Sequence, residues 1–447
     1  MFASVLIANR GEIACRIIRT CQRLGIRTVA VYSEADASAL HVAAADEAYL
    51  IGPPPVGQSY LLADAILDVA VKAGVEAIHP GYGLLSERAD FARACAERGI
   101  VFIGPSAEAM ESVGRKLPAR AVAARVGFPV IPGSPEPVAI GTVEAEAARV
   151  GFPLLLKASA GGGGIGMTRV NDEAGLARAL ERARTTAERA FGDLDIYIER
   201  ILEPARHVEV QVLADKFGHG VALGTRDCSV QRRHQKVIEE SLAPNVAPAV
   251  RAGLAADALR LAQAIGYYNA GTVECLVSGN DYYFLEVNTR LQVEHPVTEE
   301  VFGLDLVEQQ LRVASGEVLA DAVLSATPAG HAIECRIYAE DPVTYMPSPG
   351  VITSMDVPEA PDVRLDTGFR AGDTVTPYYD PLIAKLVVKG ADRASAVSRL
   401  SEVLAATQIE GLKTNLPMLR AVAKYGEFVD GMYDTGILDR FALQRAK

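Results

Sequence analysis

Long uncharged apolar runs are missing from this 447-residue sequence. One of the longer apolar stretches, 61–78, is interrupted by aspartates and a lysine, so it falls short of the ~20 apolar residues a membrane helix needs. The opening run Met1-Phe2-Ala3-Ser4-Val5-Leu6-Ile7 has no basic start and no cleavage site of a secretory leader, and it reads as a first β-strand. Positive charge is also scarce: 44 Lys and Arg stand against 56 Asp and Glu, a net charge of −12. That balance argues against a general nucleic-acid binder, although an anionic nucleotide could still bind where basic residues gather in one cleft. The six cysteines, at 15, 21, 95, 228, 275 and 335, form no C-x-x-C pair. A disulfide scaffold and a zinc site are therefore not expected, and a reducing cytoplasmic setting is. Tandem repeats and low-complexity tails are absent too.

An ordinary balance of 49% apolar and 22% charged residues over this length suggests two to three globular domains. Through the first hundred residues strand and helix alternate: strands are expected at 5–8, 28–32, 77–79 and 101–103, helices at 12–24, 61–72 and 89–98. This rhythm predicts a parallel, doubly wound sheet, which binds ligands at the C-terminal ends of its strands. Asn9-Arg10-Gly11-Glu12 and His79-Pro80-Gly81-Tyr82-Gly83 fall at such ends. A Pro/Gly-rich joint at 129–135 precedes a compact unit over roughly 136–202, and a further Pro/Gly cluster at 347–350 marks an internal turn.

Within that compact unit, an apolar strand runs into Lys157-Ala158-Ser159-Ala160-Gly161-Gly162-Gly163-Gly164-Ile165-Gly166. Glycines at this density let backbone N–H groups approach phosphate closely, though a flexible surface loop has the same composition. Neither the Walker A ending nor the dinucleotide spacing is present. Farther on, two β-prone segments, 272–276 and 282–287, flank the turn Ser278-Gly279-Asn280-Asp281. Glu274 lies four residues before the turn and Glu286 five after it, and the expectation is that the hairpin places them opposite each other on one face. Facing carboxylates with the Asn288 amide nearby suit Mg²⁺ shared with phosphates. If the extended backbone persists, Arg290, Gln292 and Glu294 share that face; a solvated, charge-alternating strand is the bland alternative. The same period-2 logic puts His207, Glu209 and Gln211 together. The basic run 225–236 has the composition of a solvated loop; its place between two apolar strands offers the alternative that it supplies anion contacts for ATP and bicarbonate.

Taken in order, IANRGEIA at 7–14, HPGYG at 79–83, the glycine loop, RHVEVQVLAD at 206–215, RDCSVQRRHQK at 226–236, EVNTRLQVEHPVTE at 286–299 and ECRIYAEDP at 334–342 resemble the biotin carboxylase family of the ATP-grasp superfamily. The resemblance covers essentially the whole chain. It implies a doubly wound α/β N-terminal domain over 1–112, an ATP-grasp region over 113–330 whose mobile lid spans about 132–202, and a mixed α+β C-terminal domain over 331–447. By matching position, Lys116, Lys157, Gly163, Gly164, Glu199, Arg200, Ile201, Leu202, His207, Gln231 and His234 would contact ATP, with Leu276 and Ile437 bracketing adenine. Glu274, Glu286 and Asn288 would hold Mg²⁺ or Mn²⁺; Lys236, Arg290, Gln292 and the Val293 backbone would hold bicarbonate. Glu294 would be the general base, kept ionised by Arg290; Arg336 would stabilise the biotin enolate and Tyr82 would line its pocket. The reaction implied is ATP- and bicarbonate-dependent carboxylation of biotin through carboxyphosphate. Another ATP-grasp carboxylating ligase and a non-catalytic nucleotide-binding subunit are the competing readings. No Met-Lys dipeptide of the kind that receives biotin occurs. The biotin is thus expected on a carrier protein or domain, with a carboxyltransferase as further partner and a homodimer as the assembly. Two positions depart from the family: Ile165 and Arg115 stand where a basic and an acidic residue are usual, so retuned nucleotide affinity is expected.

Overall fold

A computed structural model describes residues 1–139, 141–159, 166–233 and 235–445. The N-terminal sheet has five parallel strands in the order Glu47–Gly52, Arg27–Ser33, Ser4–Ile7, Ala77–His79, Val101–Phe102. Helix Gly11–Arg23 packs Ile13, Ile17 and Ile18 beneath it, while Ala63–Ala73 and Ala89–Glu97 cover the other face through Ile66, Leu67 and Phe91. The chain order reverses at Ser4–Ile7, so a crevice opens beyond that strand and its neighbour Ala77–His79. Asn9 spans it by donating to the carbonyls of Pro80 at 2.7 Å and Tyr82 at 2.8 Å. Gly81 has φ +64, and a Cβ there would lie 2.8 Å from the Asn9 amide nitrogen, so this close approach requires glycine.

Beyond the N-terminal sheet, an antiparallel sheet of eight strands carries the chemistry. Its order is Asp281–Asn288, Asn269–Ser278, Arg206–Ala214, Gly220–Arg232, Gln235–Ser241, His331–Tyr338, Leu382–Gly390, Val363–Thr367. This sheet is continuous across the boundary expected near residue 330. One core lies under Val208, Val210, Val212, Val273 and Phe284, against helix Pro248–Ala264. A second gathers Ile333, Cys335, Leu386 and Val388 against helix Arg393–Ala406. The compact unit is a separate three-stranded antiparallel sheet, Met167–Val170, Leu154–Ala158, Ile196–Arg200, packed on helices Val143–Val150 and Leu176–Phe191.

Two local expectations are corrected. The basic run at 225–236 is the end of strand Gly220–Arg232 and the start of Gln235–Ser241, paired through Arg232 and Gln235, because its side chains find buried carboxylate partners rather than solvent. The extended backbone also stops at Asn288: residues 289–294 turn and enter helix His295–Phe302, with Pro296 in its first turn.

Candidate active site

The hairpin forms with Ser278 opposite Asp281, a register that continued would set Glu274 against Leu285; a bulge between Glu274 and Cys275 shifts it by one residue and brings Glu274 opposite Glu286. On its other side Glu274 faces Glu209, which in turn faces Arg226. A row of three carboxylates abreast is unfavourable unless cations join it. Lys236 does so, donating to Glu209 at 2.7 Å, Glu274 at 2.8 Å and Glu294 at 2.6 Å. Arg226, fully buried, reaches Glu209 at 2.5 Å, and His207 Nε2 lies 2.9 Å from Glu274. Burial alone would raise the Glu274 carboxyl, but Lys236 and His207 hold it well below the ordinary range. The facing carboxylate, Glu286, accepts from Lys116.

The parity argument fails beyond Asn288, yet the turn still folds its residues toward the same point. Gln292 donates to Glu274 at 3.0 Å, Asn288 donates to Glu274 at 2.8 Å, and Arg290 donates to Asn288 at 3.0 Å and to Gln292 at 2.6 Å. Glu294 sits at the start of helix His295–Phe302, where the helix dipole favours an anion. Here the expected partner is corrected. Arg290 pairs with Glu87 at 2.9 Å, and it is Lys236 and Arg336, the latter at 3.0 Å, that bond Glu294. Burial pushes the Glu294 carboxyl up, but Lys236, Arg336 and Arg226 outweigh it and keep the group an anion.

Lys236, Glu274, Glu286, Asn288, Arg290 and Gln292 line one cleft of about 1910 Å³, which also takes in Lys116, Lys157, the stretch 199–202, His207, Gln231, Leu276, Val293, Arg336 and Tyr82, with Glu294, Glu209 and Arg226 buried behind its wall. Within that stretch two side chains are already engaged. Glu199 is buried between Lys157 at 2.6 Å and Arg120 at 2.5 Å, and Arg200 turns to the Val150 carbonyl at 2.6 Å. Ile437 departs from expectation: it is fully buried in the C-terminal core, and Thr435 and Gly436 face the cleft in its place. Gly163, Gly164, Ile165 and His234 lie outside the described residues. Arg115 pairs with Asp193, and lies 3.5 Å from Asp195, tying the body to the compact unit. Glu87 was not anticipated from sequence, although it follows four residues after the HPGYG run at a strand end. It accepts from the Thr289 backbone at 3.1 Å as well as from Arg290, so it braces the 289–294 turn.

Three family models match consecutive segments: the biotin carboxylase N-terminal domain over 1–110, the carbamoyl-phosphate synthase L chain ATP-binding domain over 115–322, and the biotin carboxylase C-terminal domain over 334–440. A biotin carboxylase of Halalkalibacterium halodurans is 54% identical over 98% of this chain and 97% of that protein. The chain belongs to the biotin carboxylase family. Solved relatives agree. A Campylobacter jejuni biotin carboxylase in a βγ-ATP complex superposes with a TM-score of 0.96 at 44% identity, covering 98% of this chain and 99% of that one. The biotin carboxylase domain dimer of Hydrogenobacter thermophilus 2-oxoglutarate carboxylase, in complex with MgADP, ADP and bicarbonate, also gives 0.96 at 44% identity, covering 99% and 98%. For a biotin carboxylase, the donor set at the hairpin suits the metal the family uses: Glu274, Glu286 and Asn288 present hard oxygen atoms on one edge, with no thiolate or imidazole required. Among the described residues, no helix is long and apolar enough to cross a membrane.

Proposed function

We propose that this chain carboxylates the N1 of carrier-bound biotin with MgATP and bicarbonate, and that the residues assembled around Lys236 perform the phosphoryl-transfer half of the reaction. The observation that carries this reading is the position of Lys236, which joins the metal carboxylate Glu274 to the base Glu294 by bonds of 2.8 and 2.6 Å. One cation thus adjoins both a carboxylate that would hold the nucleotide metal and the proton acceptor. Bound Mg²⁺ would be held by Glu274, Glu286 and Asn288 and would neutralise charge on the ATP phosphates. Lys116 and Lys157, at the nucleotide end of the cleft, orient the same phosphates.

Bicarbonate is an anion and competes with the carboxylates for Lys236, Arg290 and Gln292. When it draws Lys236 away from Glu294, the carboxylate loses its nearest cation and becomes more basic, which suits it to accept the bicarbonate proton. The freed oxygen attacks the γ-phosphorus and expels ADP, giving carboxyphosphate, which decomposes to CO₂ and phosphate. Phosphate then takes the biotin N1 proton, Arg336 stabilises the enolate oxygen, and the N1 nitrogen attacks CO₂. Arg336 is poised for this beside Glu294, on the strand His331–Tyr338, in the cleft that Tyr82 also lines. Division of the chain into the three segments 1–112, 113–330 and 331–447, with 132–202 closing as a lid over ATP, completes the reading. The biotin arrives on a carrier protein or domain, a carboxyltransferase receives the carboxyl group, and the active assembly is a cytoplasmic homodimer. ATP cleavage in bicarbonate should rise at least about tenfold on adding free biotin or a biotinylated carrier. A rate indifferent to both would overturn the assignment.

A further inference from the structure

Lys385 is among the largest fully buried side chains of the molecule, and it has no place in the chemistry above. It projects from the C-terminal strand Leu382–Gly390 directly beside Arg336, its cross-strand partner. Its Nζ donates to the Val293 carbonyl at 3.0 Å, lies 3.0 Å from Glu12 Oε2, and is 4.0 Å from Asp366. Glu12 opens helix Gly11–Arg23, and its other oxygen accepts from the Tyr82 phenol. Three distant parts of the chain therefore meet at one ammonium group: the crevice of the parallel sheet, the 289–294 turn and the C-terminal sheet. The junction is tight, because a Cβ on Gly368 would lie 2.5 Å from the Gly11 carbonyl carbon. A buried lysine is costly unless its partners compensate it, and here the compensating groups are those that shape two substrate sites.

We propose that Lys385 is a positioning residue that ties the biotin pocket to the bicarbonate site: it fixes the Val293 peptide through its carbonyl and the Tyr82 phenol through Glu12. Full burial keeps its amine off both substrates, so it acts through these neighbours. Holding the Val293 carbonyl fixes the peptide between Val293 and Glu294, and so the backbone from which Glu294 projects, and holding Glu12 sets the Tyr82 phenol in the wall against which biotin rests. This inference rests on the functional reading given above.

The test is a double-mutant cycle read in Michaelis constants. Lys385→Met should raise the KM for bicarbonate in biotin-independent ATP cleavage about tenfold, leaving the KM for ATP within about twofold. Tyr82→Phe should raise the KM for biotin, and adding Lys385→Met should raise it no further than the larger single effect, because both act through Glu12. Should Lys385→Met fail to fold, Glu12→Gln replaces it in the cycle with Tyr82→Phe, and the same non-additivity in biotin KM is expected. Multiplicative effects, or equal rises in all three KM values with a lowered Tm, would overturn the positioning role while leaving the functional assignment intact. A wild-type chain with no response to biotin would overturn both.

Discussion

Lys236 lies among Glu209, Glu274 and Glu294, and among the described residues no other side chain bonds all three. Replacing it with methionine keeps the aliphatic stem but leaves buried carboxylates facing one another. Lys236→Met should therefore cost roughly 3–5 kcal/mol of folding stability, measured as a lowered urea midpoint, alongside the loss of bicarbonate-dependent ATP cleavage. An unchanged midpoint would mean the three carboxylates are not all ionised together. At the same scale, Arg115 shows how a departure from the family pattern reads differently in three dimensions. Its guanidinium is engaged by Asp193 and lies outside the cleft lining, so it acts on the attachment of the compact unit rather than on phosphate.

At the scale of elements, the hairpin Asn269–Ser278 to Asp281–Asn288 sets the metal edge through its register. Gly279 in its turn has φ +62, a conformation a β-branched side chain adopts poorly. Gly279→Val should cost about 1–2 kcal/mol and raise the Mg²⁺ concentration for half-maximal ATP cleavage, because a strained turn loosens the Glu274–Glu286 pairing. A variant with lowered Tm but an unchanged Mg²⁺ requirement would show that register survives the strain. The existence of this hairpin was legible in the sequence from its turn residues and β-prone flanks, whereas the bulge between Glu274 and Cys275 that pairs the two glutamates was not. The parallel sheet was legible from the alternation of short apolar strands with helical segments, and its strand Ala77–His79 matches the expected limits. The edge strand Glu47–Gly52 was not read, since its mixed polarity and half-exposed pattern give no period-2 signal. The strand Met167–Val170 was hidden behind the glycine run, and the course of 289–294 follows from tertiary bonds to Glu87 that no local pattern encodes. For the same reason Arg290 was assigned to Glu294 by proximity in sequence, whereas Glu87 comes from another part of the fold.

The whole molecule also carries a pH signature. Burial lowers His41 to about 4 and His79 to about 3, both from an ordinary 6.5. The unfolded chain therefore takes up these protons first as pH falls, so their contribution to stability is complete above 6.5 and is lost as pH drops toward 4 and below. For His41 this amounts to roughly 3 kcal/mol. The Tm advantage of wild type over His41→Phe should shrink steadily between pH 6.5 and 4; a constant gap would contradict neutral burial of this ring. Function, too, depends on the assembled whole, since the cleft draws Tyr82 from the loop after strand Ala77–His79, Lys236 and Glu274 from the central strands, and Arg336 from the C-terminal part. The most direct test of that assembly is transfer of isotope-labelled bicarbonate to free biotin in the presence of ATP and Mg²⁺. Labelled carboxybiotin should form with wild type and fall about 10²–10⁴-fold with Glu294→Gln. ATP cleavage without labelled biotin in wild type, or full labelling in the variant, would contradict the account.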